Sequence, residues 1–297
     1  MKEMKKVAVL LSTYNGDKYL NELIDSVLNQ KGVIVDIYIR DDGSSDDTHN
    51  ILESYELHNN IFIFREDNIG YAKSFWKLLS MVDEYDYYAF CDQDDIWLEN
   101  KLFMAVNVIE HENCNKPILY TSRVVSVNNS MQILSENCFR SSGVINVYQS
   151  FQKSILPGCV FVFNEIAKKI MIKYKGYMES HDWATYCIIS AFGKVVYDDN
   201  SYIRYRMHGN NAIGVGGRIN ELLKKVRRFF QPPKNTRSKF AADFLCTYGE
   251  LLNDDMLTKQ LYLFANYRSS FNCKINLLKS KYFRGFIFKL YIILNRG

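Results

Sequence analysis

Asp92, Asp94 and Asp95 fall within four residues of one another in the stretch FCDQDDIW, Phe90–Trp97. Three carboxylates so close repel each other, and clustering them gains nothing unless a cation shares them. A divalent ion fits, since it takes hard oxygen donors, dehydrates incompletely and is shared with substrate phosphates. It would also neutralise charge on a departing diphosphate. The competing account is a solvated acidic turn that caps a helix starting near Trp97. The apolar run just before the acids, YYAFC (Tyr87–Cys91), shifts the balance toward chemistry.

Four other groups could join them. In Asp41-Asp42-Gly43-Ser44 a carboxylate at a strand end can accept a hydrogen bond from a base or a ribose hydroxyl. Taken alone, ordinary turn chemistry explains that stretch better. Ser12-Thr13-Tyr14-Asn15 could line a nucleotide pocket, with Tyr14 stacked on a base and Asn15 fixing the loop; a helix N-cap region is equally plausible. Asn68-Ile69-Gly70, ahead of a helix, could bring backbone N–H groups to a phosphate, or be a simple turn. In His181-Asp182-Trp183, spacing alone favours Asp182 as a helix cap over a general base. Arg204–Asn211 gathers two cations, an imidazole and two amides where a Gly-rich stretch, Gly209–Gly217, begins. Arg206 and His208 there suit a diphosphate or metal-bound diphosphate, and the loop could close over it.

The elements that would position these groups alternate. Val7–Thr13, Val35–Arg40, Ile61–Phe64 and Tyr87–Cys91 read as strands. Leu20–Leu28 and Phe75–Val82 carry apolar residues at helical spacing. This alternation predicts an α/β domain with a parallel sheet covered on both faces, and such sheets bind ligands beyond the carboxyl ends of their strands. Asn15, Asp41–Asp42 and Asp92–Asp95 all fall there. In the middle, Ile118–Val127, Gly158–Phe163, Val195–Tyr197 and Tyr202–Tyr205 read as strands, with helices at Glu165–Tyr174 and Trp183–Ala191. A basic helix, Asn220–Phe230, and two or three more helices follow.

The chain has 297 residues, 47% apolar and 24% charged, and a net charge of +4. That charge is uneven: residues 1–217 carry −7 and residues 218–297 carry +11. The division predicts a body over 1–217 and a basic helical region over 218–297 with an anionic partner. Lys279–Arg296 (KSKYFRGFIFKLYIILNR) mixes cations with aromatic and aliphatic residues, which suits an anionic membrane surface; packing helices with snorkelling Lys and Arg are the alternative. No nucleic-acid module is present. The seven Cys include no C-x-x-C pair, so a disulfide-built secreted domain is not expected and a reducing cytosol is. No leader and no membrane-spanning run is expected.

Together, LLSTYNG (Leu10–Gly16), IRDDGSSDDT (Ile39–Thr48), DNIGYAKSF (Asp67–Phe75), FCDQDDIW, HDW and YRMHGNN (Tyr205–Asn211) resemble the family 2 glycosyltransferases of the GT-A fold over roughly residues 5–215. The DQDDIW and YR-x-HGNN forms resemble the bacterial rhamnosyltransferase branch, which builds cell-wall, capsular or O-antigen polysaccharides. The resemblance implies a metal-dependent, inverting transfer using Mn²⁺ or Mg²⁺. The donor would be a nucleotide-diphosphate sugar, dTDP-L-rhamnose first and a UDP-hexose or UDP-N-acetylhexosamine as the alternative. The acceptor would be a glycan or lipid-linked glycan at the cytoplasmic membrane face. The nucleotide is expected against Ser12, Thr13, Tyr14, Asn15, Asp41, Asp42, Asn68, Gly70, Asp92 and Gln93, with Asp42 on a pyrimidine base. Asp92, Asp94 and His208 would hold the metal; Asp95, Trp183, Arg206 and His208 would meet the donor sugar and diphosphate. Asp182 matches the catalytic base, which reverses the preference drawn from spacing. Gln93 and the extra acid Asp95 depart from the simplest D-x-D pattern. Rival classes are a sugar nucleotidyltransferase, whose Gly-rich basic loop is missing at Ser12–Gly16, and a non-catalytic glycan- or lipid-binding module.

Overall fold

The computed structural model describes residues 3–112, 115–138, 146–152, 156–208 and 236–295. They group into two compact units: residues up to Tyr174 with Met178–Arg206, and Lys175–Tyr177 with the residues from Met207 on. The Gly-rich stretch, the basic helix expected at Asn220–Phe230 and the 217/218 division lie outside the described residues.

The first unit is built on a seven-stranded sheet. Its strands are β1 (Lys6–Thr13), β2 (Ile34–Asp41), β3 (Ile61–Arg65), β4 (Tyr87–Cys91), β6 (Ile118–Ser122), β9 (Val162–Asn164) and β10 (Lys194–Asp198), in the order β10-β6-β9-β4-β1-β2-β3. All neighbours pair in parallel except β9, which runs antiparallel to both β4 and β6. β4 is buried throughout, and in β1 only Lys6 is exposed, which is why both read as unbroken apolar runs: helices cover each face. Those helices include α1 (Leu20–Leu28), α2 (Thr48–Ser54), α3 (Tyr71–Met81), α4 (Lys101–Glu110), α5 (Val147–Gln152), α6 (Glu165–Met171) and α7 (His181–Phe192). Ala72, Phe75, Trp76, Leu78 and Leu79 form the buried stripe of α3.

A smaller sheet holds β5 (Ile96–Trp97), β7 (Val124–Val127), β8 (Ile133–Cys138) and β11 (Ile203–Arg206), in the order β5-β11-β7-β8. It corrects three expectations. Ile118–Val127 is two strands in two sheets, broken at Arg123, whose N–H donates to the Asp198 carbonyl at 3.0 Å. Trp97 pairs with Ile203 instead of opening a helix, which begins at Lys101. Gly158–Val160 is a 3₁₀ turn, and only Val162–Asn164 is strand. Apolar content alone could not reveal these breaks, because every piece is buried.

The register of β9 is pinned at its far end. The Asn164 side chain accepts from the Ala167 and Ile118 N–H groups, both at 3.0 Å, and donates to the Lys116 carbonyl at 2.8 Å. It thereby caps α6 and clamps β6 at once.

The second unit contains helices Thr236–Tyr248, Asp255–Asn266, Phe271–Lys279 and Phe286–Ile293. Asp254 caps Asp255–Asn266 by accepting from the Leu257 N–H at 2.9 Å. Phe240, Phe244, Leu261, Phe264, Phe283 and Ile292 supply its own buried core. Among the described residues, no helix is long and apolar enough to cross a membrane.

At the α7–β10 junction, a Cβ on Gly193 would stand 1.8 Å from the Pro117 carbonyl oxygen. Gly193→Ala is therefore expected to destabilise the protein by about 1–3 kcal/mol, read as a lower melting temperature. Gly249→Ala, where nothing lies within 4 Å, is the control and should change little. Equal melting temperatures for both variants would contradict the close packing at this junction.

Candidate functional site

The ends of β1, β2 and β4 are tied together before any ligand is considered. At β1, the Thr13 hydroxyl and the Tyr14 N–H both donate to Gln93 Oε1 at 2.8 Å, and Gln93 Nε2 donates to the Tyr14 carbonyl at 3.2 Å. Gln93 is thus spent on fastening the β1 loop to the β4 loop. Asn15, at φ 48°, donates its N–H to Ser44 Oγ at 2.9 Å and accepts from the Ser45 N–H at 2.8 Å. The Ser12 and Ser74 hydroxyls lie 2.6 Å apart. Tyr14 is 48% exposed, so its ring is available for stacking.

Asp42 and Arg40 form a buried hub. The Arg40 guanidinium pairs with Asp42, with Glu66 Oε2 at 3.0 Å and with the Asp67 carbonyl at 2.9 Å. Asp42 also accepts from the Ile69 N–H and the Gly70 N–H, both at 2.9 Å. Its two oxygens therefore hold the Asn68–Gly70 loop, and the Asn68 side chain reinforces this by accepting from the Gly70 N–H at 3.1 Å. Asp41 accepts from the Ser44 N–H at 3.1 Å. Next to this hub, Arg40, Asp41, Ser44, Arg65, Glu66 and Lys77 line an open cleft of about 680 Å³ beyond β2 and β3.

The acidic run after β4 splits by role. Ligand atoms of Asp92, Asp95 and Cys159 all lie within 4.8 Å of one another. Asp94 stands outside that group, and its carbonyl accepts from Arg206 Nε at 3.0 Å. Asp95 is fully buried; one oxygen accepts from the Arg206 N–H at 3.1 Å, and Oδ2 has no hydrogen bond of normal geometry among the described residues. Burial, then the charges of Asp94 and Asp182, push the Asp92 carboxyl up to about 8. Burial, then Asp94 and Asp92, push Asp95 well above the usual carboxylate range. An orphaned buried oxygen among electrostatically crowded acids fits a divalent cation, and Asp92, Asp95 and Cys159 are the side chains that could hold it.

Arg206 is 2% exposed and braces this turn. Besides Asp94 it reaches the Asn129 carbonyl at 3.3 Å and Glu22 at 2.5 Å, and its guanidinium lies 4.3 Å from the Tyr19 ring centroid. His208 belongs to the second unit, and Asn210 and Asn211 lie outside the described residues.

At the start of α7 the cap is Ser180, whose hydroxyl accepts from the Trp183 N–H at 3.4 Å. Asp182, the second residue of the helix, shares that role: its Oδ1 accepts the same Trp183 N–H at 2.7 Å, so the N-cap position is Ser180 and the Asp182 carboxylate caps from inside the first turn. Trp183 is buried, donating its indole N–H to the Ser150 carbonyl at 2.7 Å. The 3₁₀ turn at Gly158–Val160 joins the two halves of the site. A Cβ on Gly158 would meet Asp182 Cβ at 3.2 Å and His181 Nε2 at 2.6 Å, and the next residue is Cys159. Asp182 and the Asp92–Asp95 group thus flank one turn.

Three buried groups were given no role by the sequence reading. Cys159 lies in a distant segment with no spacing signal. The Lys101 ammonium, 3.4 Å from the Trp97 ring centroid, has no hydrogen-bond partner among the described residues, and burial lowers its pKa to about 8. The His181 ring stacks on Phe75 at 3.9 Å, and both its nitrogens lack partners among the described residues.

Residues 8–170 match the family profile described as glycosyl transferase family 2. The dTDP-rhamnosyl transferase RfbG of Shigella flexneri is 30% identical over 221 residues, spanning 69% of this chain and 73% of RfbG. A putative teichuronic acid biosynthesis glycosyltransferase of Bacillus subtilis, TuaG, is 26% identical over 208 residues, 69% of this chain and 80% of TuaG. Among solved structures, S. aureus TarS 1–349 in complex with UDP-GlcNAc aligns with a TM-score of 0.58 at 18% identity, over 89% of this chain and 72% of that one. At such identity the likeness to TarS is one of fold.

Burial holds His181 neutral, lowering its pKa to about 4 from 6.5 against the smaller opposing pull of Asp182. The unfolded chain takes up a proton near 6.5 that the folded ring refuses until about 4. The stability His181 contributes is therefore whole above 6.5 and is lost as pH falls toward 4, at about 1.4 kcal/mol per pH unit. His181→Phe should lose less stability than the parent between pH 6.5 and 5 in denaturant melts. Parallel curves for the two proteins would show that the ring protonates in place.

Proposed function

Because the chain belongs to glycosyl transferase family 2 and has the GT-A fold, we propose that it moves L-rhamnose from dTDP-L-rhamnose onto a glycan or lipid-linked glycan in bacterial surface polysaccharide synthesis. The observation that carries the chemistry is the Gly158–Val160 turn. It contacts Asp182 through Gly158 and the Asp92–Asp95 group through Cys159, and the Asp182 charge is felt at Asp92, which supports a base and an acid pair acting together. The rhamnosyl donor is favoured by RfbG, a relative named for that reaction.

Asp182 takes the proton from the acceptor hydroxyl as its oxygen attacks the anomeric carbon from the face opposite the nucleotide. The C–O bond to the diphosphate breaks in the same displacement, through a transition state of oxocarbenium character like that of glycoside hydrolysis, so the anomeric configuration inverts. The Ser180 cap and the close packing of Gly158 hold the Asp182 backbone in place. A divalent cation bound by Asp92 and Asp95 would supply positive charge to the departing diphosphate. Tyr14 offers an exposed ring to the base, while the Gln93 and Asp42 hydrogen bonds keep the surrounding loops in one arrangement. Arg206 serves by bracing the acidic turn.

The +11 charge of residues 218–297, with Phe271 at 78% and Phe286 at 82% exposure, supports peripheral contact with an anionic membrane face where a lipid-linked acceptor would lie. The full chain should float with vesicles containing anionic lipid and stay behind with zwitterionic ones. Equal behaviour with both would remove the charge-based account.

Asp182→Asn should still bind donor nucleotide, seen as a retained thermal shift, while transfer falls by about 10²–10⁴-fold, the scale of a lost general base. Retained transfer would sink the base assignment. In the parent protein, TDP with Mn²⁺ should raise the melting temperature above the rise from UDP, GDP or CDP. A larger rise with UDP would keep the transferase and replace rhamnose with a UDP-linked sugar.

A further inference from the structure

We propose that Cys159 gives a sulfur donor to the cation held by Asp92 and Asp95, making a mixed O,O,S site that prefers Mn²⁺, Co²⁺ or Zn²⁺ over Mg²⁺. The proposal deepens the transferase reading and rests on it for the role of the ion, but its readout requires no sugar transfer.

Three observations carry it. The Cys159 sulfur and carboxylate oxygens of Asp92 and Asp95 lie within 4.8 Å of one another, close enough for one ion to reach all three after small side-chain adjustments. Cys159 and Asp95 are fully buried; Asp95 Oδ2 has no hydrogen bond of normal geometry among the described residues, and the Cys159 thiol is the polar side chain that interacts with that carboxylate. A cationic rival, the Lys101 ammonium, is directed at the Trp97 ring and makes no hydrogen bond to either carboxylate among the described residues. Lys101 thus acts on the acids through its charge alone and leaves their oxygens free of its hydrogen bonds. Backbone geometry also commits the thiol to this place: Gly158 packs on His181 and Asp182, and the Phe161 N–H closes the turn on the Gly158 carbonyl at 2.8 Å.

The ion's identity follows from the donors. Mg²⁺ dehydrates reluctantly and wants oxygen ligands in near-ideal octahedral geometry. Thiolate suits the softer ions, and later first-row metals bind N/O/S sites more tightly. With no ion bound, burial raises the Cys159 thiol well above its usual range. On coordination the S–metal bond forms and the thiol proton leaves to solvent, since a metal-bound thiol is deprotonated.

The test is Co²⁺ titration of the full chain without nucleotide. Thiolate coordination gives a sulfur-to-cobalt charge-transfer band in the near ultraviolet, which oxygen-only coordination lacks. The band is expected in the parent and in Cys246→Ser, which removes an exposed thiol. It should vanish in Cys159→Ser and Cys159→Ala and persist in Cys91→Ala. Co²⁺ affinity should fall by about tenfold or more in the Cys159 variants, the scale on which lost metal-site partners act, and Mg²⁺ should displace Co²⁺ more readily from them. Visible cobalt bands with no near-ultraviolet band in the parent would overturn the proposal, even if the Cys159 variants fail to fold. A band that survives loss of Cys159, or follows Cys91, would do the same. Absence of Co²⁺ binding alongside a normal nucleotide-induced thermal shift would overturn the sulfur site and leave the transferase reading standing.

Discussion

Asp95 is buried with one oxygen on the Arg206 N–H and the other without a hydrogen bond of normal geometry among the described residues, and much of the surrounding structure follows from accommodating it. A carboxylate removed from water costs several kcal/mol unless charge or hydrogen bonds replace its hydration. The fold brings two cationic side chains to the neighbourhood and commits both elsewhere. Arg206 grips the Asp94 carbonyl, Asn129 and Glu22. Lys101 lies over the Trp97 ring. The acids are braced without a direct ion pair, and burial with mutual repulsion favours their protonated forms.

The ends of β1 and β2 use the opposite strategy, since their polar groups are satisfied internally. Asp42, Arg40, Glu66 and the Ile69–Gly70 backbone form a closed network, and Gln93 stitches the β1 loop to the β4 loop. Such networks cost little reorganisation when ligand arrives, because the loops already hold one arrangement. One half of the site has its charges paired; the other is crowded with like charge.

Much of this was legible from the residues. Strand–helix alternation gave the parallel core, and the polar clusters marked its carboxyl ends, because burial on both faces leaves a clear apolar signature in β1 and β4. The acidic run was visible as a cluster, but which acids converge was not: Arg206 bonds both Asp94 and Asp95, yet Asp95 is the one grouped with Asp92 and Cys159. Asp182 looked like a cap because carboxylates favour helix starts, while the N-cap position, Ser180, stood two residues earlier. Cys159 was invisible because what matters is the 3₁₀ turn that carries it, and buried turns leave no pattern in apolar content. The break at Arg123 was hidden for the same reason, since Ile118–Ser122 and Val124–Val127 are equally buried.

The antiparallel course of β9 gives Asn164 an unexpected leverage. A parallel strand delivers its exit to the site, whereas β9 delivers its entrance, so Gly158 and Cys159 are placed by how far the strand is pushed along its neighbours. Asn164, at the other end of that strand, sets the stop by clamping the Lys116 carbonyl and the Ile118 N–H. A slip of two residues would keep every side chain on its proper face yet carry the entrance about 7 Å along the sheet. Asn164 thus works as a gauge block: a side chain with no part in the chemistry fixes the separation at which the two halves of the site confront each other.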